Sequence, residues 1–140
     1  MKWIWDNIFF DGCFTVPNEG RGGGLALLWK GVNIWVDSFS KYHIDSIIHG
    51  GSVQAWRLIG FYGEPDTSLR SERWNMLRML GLKLQLPWCY FGYFNELLEV
   101  HDKRGGPPRA HHLLQNFREA LDHCGFMDLG FSEDDMGKIR

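Results

Sequence analysis

A strand–helix–strand pattern between residues 53 and 91 constrains the fold more than any other feature of the sequence. Residues 53–62 predict a strand, and residues 86–91 form an almost wholly apolar run, typical of a strand buried on both faces. Residues 67–82 predict a helix, because apolar residues recur there at near-helical spacing: Leu69, Trp74, Leu77 and Leu80. Arg70 and the other arginines lie mostly at other positions of this segment. Such β-α-β units are nearly always right-handed, so the two strands are expected to be parallel.

This crossover brings polar side chains to one edge of the predicted sheet. Tyr62 ends the first strand, and Tyr93, Asn95 and Glu96 follow the second. Open α/β sheets usually keep their sites at the carboxyl ends of parallel strands. We therefore expect Tyr62, Tyr93 and Asn95 to open into one cleft.

The rest of the chain predicts short strands before the crossover and one helix after it. The first twenty residues suggest a short helix followed by a strand at residues 13–16. Short apolar or alternating segments separated by glycine turns then suggest an antiparallel meander that leads into the crossover: residues 24–29, 32–38 and 43–48. After the crossover, an amphipathic segment from residue 113 to residue 124 predicts a helix that ends at Gly125.

Composition indicates one packed domain and excludes several classes of protein. The chain has 140 residues, of which 44% are hydrophobic and 15% aromatic, so it needs a substantial core. A formal net charge of -2 excludes a strongly basic nucleic-acid module, although it leaves room for a local basic patch. Three cysteines without a Cys-x-x-Cys pair argue against a disulfide framework and favour a reducing compartment. The absence of a signal-peptide pattern and of a long apolar run predicts a cytoplasmic or nuclear protein that does not span a membrane.

Simple motif searches give no metal or nucleotide site. The glycine-rich residues 20–24 lack the Gly-Lys-Ser/Thr of a phosphate loop and precede a strand, so we interpret them as a tight turn. The six histidines do not have the spacing of a zinc site. Lys103, Arg104 and Arg109 are most simply a solvated loop, with contact to a phosphate as the alternative.

The most specific motif lies in residues 92–96, which read Gly-Tyr-Phe-Asn-Glu. It resembles the Gly-Asp-Phe-Asn-Glu signature of the endonuclease/exonuclease/phosphatase superfamily. Other landmarks resemble plant LINE-type (non-LTR) retrotransposon endonucleases in order and spacing: residues 20–29, His43 to Asp45, Trp56 with Arg57, residues 60–65, Arg70 with Trp74, residues 105–106, 117–121 and 124–131. The ordered set is more specific than any one motif, and the resemblance covers about residues 12–131.

The resemblance implies a four-layer α/β sandwich, in which two sheets are covered by helices. Residues 1–131 are expected to form an incomplete version of this domain, followed by a polar tail at residues 132–140. The family hydrolyses phosphodiesters or phosphomonoesters with Mg²⁺, and in LINE elements it nicks DNA. The resemblance also implies that Tyr62 reaches toward the phosphate and that Asn95 orients it. Lys103 and Arg104 are the candidates for further substrate contacts.

The sequence departs from the family pattern at its catalytic positions. Tyr93 stands where the motif has its catalytic Asp, and a phenol, uncharged at neutral pH, does not replace a carboxylate as a base. The chain also contains neither the family's upstream metal-binding Glu nor its late Ser-Asp-His motif. We therefore interpret it as a truncated, inactive derivative of a LINE-type endonuclease with no bound metal. This interpretation predicts an uncovered apolar face or edge on the sheet. The alternative is a non-catalytic module that binds nucleic acid or a protein through the old cleft.

Overall fold

The computed structural model describes residues 10–18, 20, 24–83, 85–96, 105–108 and 110–127. These residues form a mixed α/β fold with two sheets and two α-helices, which confirms the general α/β class. The strands are β1 (Gly12–Val16), β2 (Leu25–Trp29), β3 (Ile34–Ser40), β4 (His43–Ile48), β5 (Trp56–Tyr62) and β6 (Trp88–Tyr93), and the helices are α1 (Arg70–Lys83) and α2 (His111–His123). No helix in these ranges is long and apolar enough to cross a membrane.

The predicted crossover is confirmed. The larger sheet has the order β3-β4-β5-β6; its first three strands are antiparallel, and β6 pairs with β5 in parallel after the chain passes through α1. Asp66 begins the helical segment, because its Oδ1 atom accepts a hydrogen bond from the Ser68 amide at 2.9 Å. A single 3₁₀ turn, Thr67–Leu69, leads from this cap into α1.

The predicted meander is wrong for β2, which pairs with β1 in a separate two-stranded sheet and not with β3. The turn after β2 is tied back to the start of that hairpin, because the Gly31 amide donates to Asp11 Oδ2 at 2.6 Å. Gly31 has a φ of 71°, which favours glycine. After this turn, β3 begins the larger sheet.

Three more predicted strands differ from the observed ones. The strand predicted at 32–38 is β3, Ile34–Ser40, and the strand predicted at 86–91 is β6, Trp88–Tyr93. β5 begins at Trp56 and not at residue 53, because the preceding residues form turns in which the Ser52 amide bonds His49 O and the Ala55 amide bonds Ser52 O. The second strand of the crossover is not buried on both faces, since Phe91 is 49% exposed. The helices cover one face of β6, and β6 ends the described sheet.

The core lies between the larger sheet and the two helices. Its members are buried to at least 97% of their surface: Phe61, Trp74, Leu77, Phe117 and Ala120. Cys124 and Gly125 end α2 as predicted, with the Gly125 amide bonded to Asp122 O. The β1–β2 hairpin lies on the opposite face of the sheet, where the rings of Phe14 and Phe39 are 4.9 Å apart.

Candidate site at the carboxyl ends of the parallel strands

Two tyrosines meet where β5 and β6 end. The parallel register pairs Tyr62 directly with Tyr93, and their ring centroids are 6.3 Å apart. Both are exposed, Tyr62 to 43% and Tyr93 to 66%. The crossover predicted this juxtaposition, because parallel strands of a β-α-β unit end on the same edge.

Glycines allow the backbones of the two strand ends to approach each other closely. The Gly63 amide donates to Tyr93 O at 2.6 Å, and a Cβ atom at position 63 would collide with the carbonyl of Phe94. Gly92 has a φ of 149°, and a Cβ atom there would collide with the carbonyl of Phe61. Only glycine fits either position, so the glycines of the two matched motifs hold the tyrosines side by side.

Asn95 lies at the same edge, and its side chain closes the loop after β6. Its φ is 58°, a left-handed conformation that asparagine tolerates better than most residues. The Asn95 Nδ2 atom donates to Gly63 O at 2.8 Å. One amide group therefore ties the loop to the end of β5.

A buried ion pair that sequence reasoning missed holds Glu96. Arg70 NH1 lies 2.7 Å from Glu96 Oε2, and both side chains are at least 95% buried. The same guanidinium donates to Glu64 O at 2.8 Å and to Pro65 O at 3.0 Å, so it joins the loops after both parallel strands. Arg70 therefore lies on the buried face of α1. The spacing of the apolar residues predicts a position away from that face, and for Arg70 this prediction is wrong. The signal that could have found it is an arginine in the first turn of a crossover helix and a glutamate just after the next strand.

Each carboxylate described near this edge has a partner within the protein: Glu96 pairs with Arg70, Glu64 Oε1 accepts from the Asp66 amide, and Asp66 Oδ1 accepts from the Ser68 amide. Mg²⁺ needs an octahedral set of oxygen ligands that usually includes carboxylates. Here Tyr93 supplies a phenol in place of a carboxylate, and Arg70 neutralises Glu96. No group of three or more His, Cys, Asp or Glu side chains in the described residues has the geometry of a metal site.

The remaining substrate candidates, Lys103 and Arg104, lie outside the described residues. Arg73 is a cation near this edge, and its guanidinium stacks 3.5 Å above the ring of Tyr42. Glu72 lies 3.6 Å from it, so a carboxylate offsets this charge. The Tyr42 carbonyl accepts a hydrogen bond from the Tyr62 amide at 2.7 Å, which places Arg73 near the tyrosine pair.

A second set of matched residues forms a structural cluster beneath α1. Arg57 binds Asp45 with two bonds, of 2.9 Å from Nε and 2.7 Å from NH2, and donates from NH1 to Leu80 O. His43 is also buried, with Nδ1 2.8 Å from Ser40 Oγ. Burial lowers the pKa of His43; the Asp45 carboxylate opposes that shift, and Lys83 and Arg57 reinforce it. Because Asp45 and Arg57 are fully buried, this cluster stabilises the fold and is closed to a substrate.

Compared with known proteins, the chain matches no family model, no curated protein and no solved structure.

Proposed function

We propose that this chain is a non-hydrolytic domain of the endonuclease/exonuclease/phosphatase type, related to LINE-type retrotransposon endonucleases. The support is the ordered set of motifs together with the geometry that their residues adopt. The glycines of the two matched motifs, the matched Tyr62 and the non-matching Tyr93 meet at the carboxyl edge of two parallel strands. The proposal extends to the fold: the hairpin, the larger sheet and the two helices correspond to part of a four-layer sandwich.

The observation that carries the loss of activity is the side chain at position 93. Hydrolysis of a phosphodiester needs a base that activates water and groups that stabilise the developing charge on the phosphate. Tyr93 presents a phenol beside Tyr62, where the motif has a carboxylate. The neighbouring Glu96 does not substitute for it, because its carboxylate is buried against Arg70.

Nicking of supercoiled plasmid tests this proposal. The full chain is incubated with plasmid and Mg²⁺ or Mn²⁺, and a parallel reaction contains EDTA. We expect no nicking above the EDTA background. Metal-dependent nicking that persists through a second, orthogonal purification would contradict the proposal, since contaminating nucleases would then be excluded.

A second function, the binding of single-stranded nucleic acid, is favoured by the exposed pair of Tyr62 and Tyr93. Exposed aromatic rings are the surfaces on which unpaired bases stack, with about 1–3 kcal/mol per base. Fluorescence anisotropy of a labelled single-stranded oligonucleotide measures this binding. Tyr93→Leu should weaken it, whereas Trp35→Leu should not, because Trp35 is an equally exposed ring on β3 at the other edge of the sheet. Equal effects of the two substitutions, or no binding by the wild type, would exclude this function.

A further inference from the structure

An apolar cavity separates the β1–β2 hairpin from the larger sheet. It has a volume of about 190 Å³ and is lined by β2 on one side and by β4, β5 and β6 on the other. Its walls include Leu25, Leu27, Ile44, Leu58 and Phe91. Because Phe91 is 49% exposed, the cavity opens toward solvent on the β6 side.

The chemistry of the walls selects an uncharged ligand. Among the lining residues that the structure describes, none is charged and only Ser46 has a polar side chain. Its hydroxyl already donates to Leu58 O at 2.9 Å. A charged ligand would lose its hydration without gaining a counter-ion.

The size of the cavity sets the size of the ligand. An apolar cavity of about 150 Å³ with similar walls is large enough for benzene. The volume here is somewhat larger, so it accommodates one six-membered ring with a small substituent. Phe91 at the open side adds an aromatic wall, and paired aromatic rings gain about 0.5–1.5 kcal/mol beyond the burial of their area.

We propose that this cavity is a binding site for a small, uncharged aromatic molecule of about one ring. The site is distinct from the tyrosine pair, and the proposal does not depend on the proposed function. The ring enters on the β6 side and packs between Leu27 of the hairpin and Leu58 of the sheet. Its binding displaces no hydrogen bond of the protein, because the hydroxyl of Ser46 stays engaged with the backbone.

Titration of the full chain with benzene, followed by the methyl NMR signals of Ile44 and Leu58, tests the proposal. We expect saturable shifts at these signals and a rise in Tm with benzene, as binding to the folded state alone requires. Benzoate at the same concentration should leave the signals unchanged. Absence of saturable shifts with benzene, or equal shifts with benzoate, would overturn the proposal.

Substitutions that fill the cavity give the second test. Ser46→Met adds a flexible apolar side chain to the space and should weaken benzene binding by roughly tenfold or more. Ser46→Thr keeps a hydroxyl for Leu58 O and adds one methyl group, so it is the matched control and should bind nearly as the wild type does. Leu58→Phe fills the cavity from β5 and serves the same purpose if Ser46→Met does not fold. Wild-type affinity in a folded filling variant would overturn the proposal.

Discussion

The two faces of the larger sheet are covered in different ways. On one face the helices bury Phe61 and Phe117 almost completely, and the rings of Trp74 and Phe117 are 4.7 Å apart. On the other face the hairpin leaves a cavity of about 190 Å³ and half of Phe91 exposed. Strand β5 contributes side chains to both faces of the sheet, because it directs Phe61 toward the helices and Leu58 toward the hairpin.

The side chains that meet on each face explain the difference. The helix face brings together large aromatic rings, and Tyr90 and Phe126 extend the cluster at 5.2 Å from each other. On the hairpin face, the sheet residues that line the cavity include the small Ser46 and Gly60. Closely packed interiors resist changes of volume, whereas a partly open cavity accepts them. The helix face therefore stabilises the fold, and the hairpin face has room for a ligand.

The largest effect is expected from the ion pair on the helix face. Arg57→Leu leaves the fully buried Asp45 carboxylate without its bidentate partner, and we expect a loss of about 3–5 kcal/mol in the free energy of unfolding. Lys83→Met is the control, because the partly exposed Lys83 lies 3.7 Å from the same carboxylate and contributes about 0–1 kcal/mol. Urea denaturation measures both. A loss for Arg57→Leu no larger than that for Lys83→Met would contradict this account of the face.

A matched pair of Phe→Ala substitutions compares the faces directly. Phe117→Ala removes a buried ring from the helix face and should lower the free energy of unfolding by about 3–5 kcal/mol. Phe91→Ala removes a half-exposed ring that lines the cavity and should cost about 1 kcal/mol. Thermal or urea denaturation of the two variants gives the difference. Equal losses would show that the hairpin face is as closely packed as the helix face.

A smaller effect is expected from the titration of His43. Its pKa is lowered in the folded state, so the folded protein binds fewer protons than the unfolded chain as the pH falls through the ordinary value of about 6.5. Stability from this group is therefore complete above that pH and decreases below it. His43→Gln should flatten the dependence of the urea midpoint between pH 7 and pH 5. An unchanged slope in the variant would show that another group is responsible.

The sequence predicts the backbone of this fold better than it predicts the contacts of polar side chains. The crossover and the pairing of Tyr62 with Tyr93 follow from apolar periodicity and from the handedness of β-α-β units. The pairing of β2 with β1, and not with β3, is not encoded by apolar periodicity, which marks strands but not their partners. The buried position of Arg70 was missed for a similar reason, because its partner Glu96 is 26 residues away in the sequence.

The most direct test of the proposed function replaces Tyr93 and repeats the plasmid assay. Tyr93→Asp restores the motif's carboxylate, and Tyr93→Asn is a control of the same size without charge. We predict that neither variant nicks plasmid with Mg²⁺ or Mn²⁺ above the EDTA background. General acid–base catalysis contributes typically about 10² to 10⁴ in rate and needs a substrate already bound and polarised, whereas Glu96 stays paired with Arg70. Metal-dependent nicking by Tyr93→Asp and not by Tyr93→Asn would contradict the account, because the edge would then hold a working metal site.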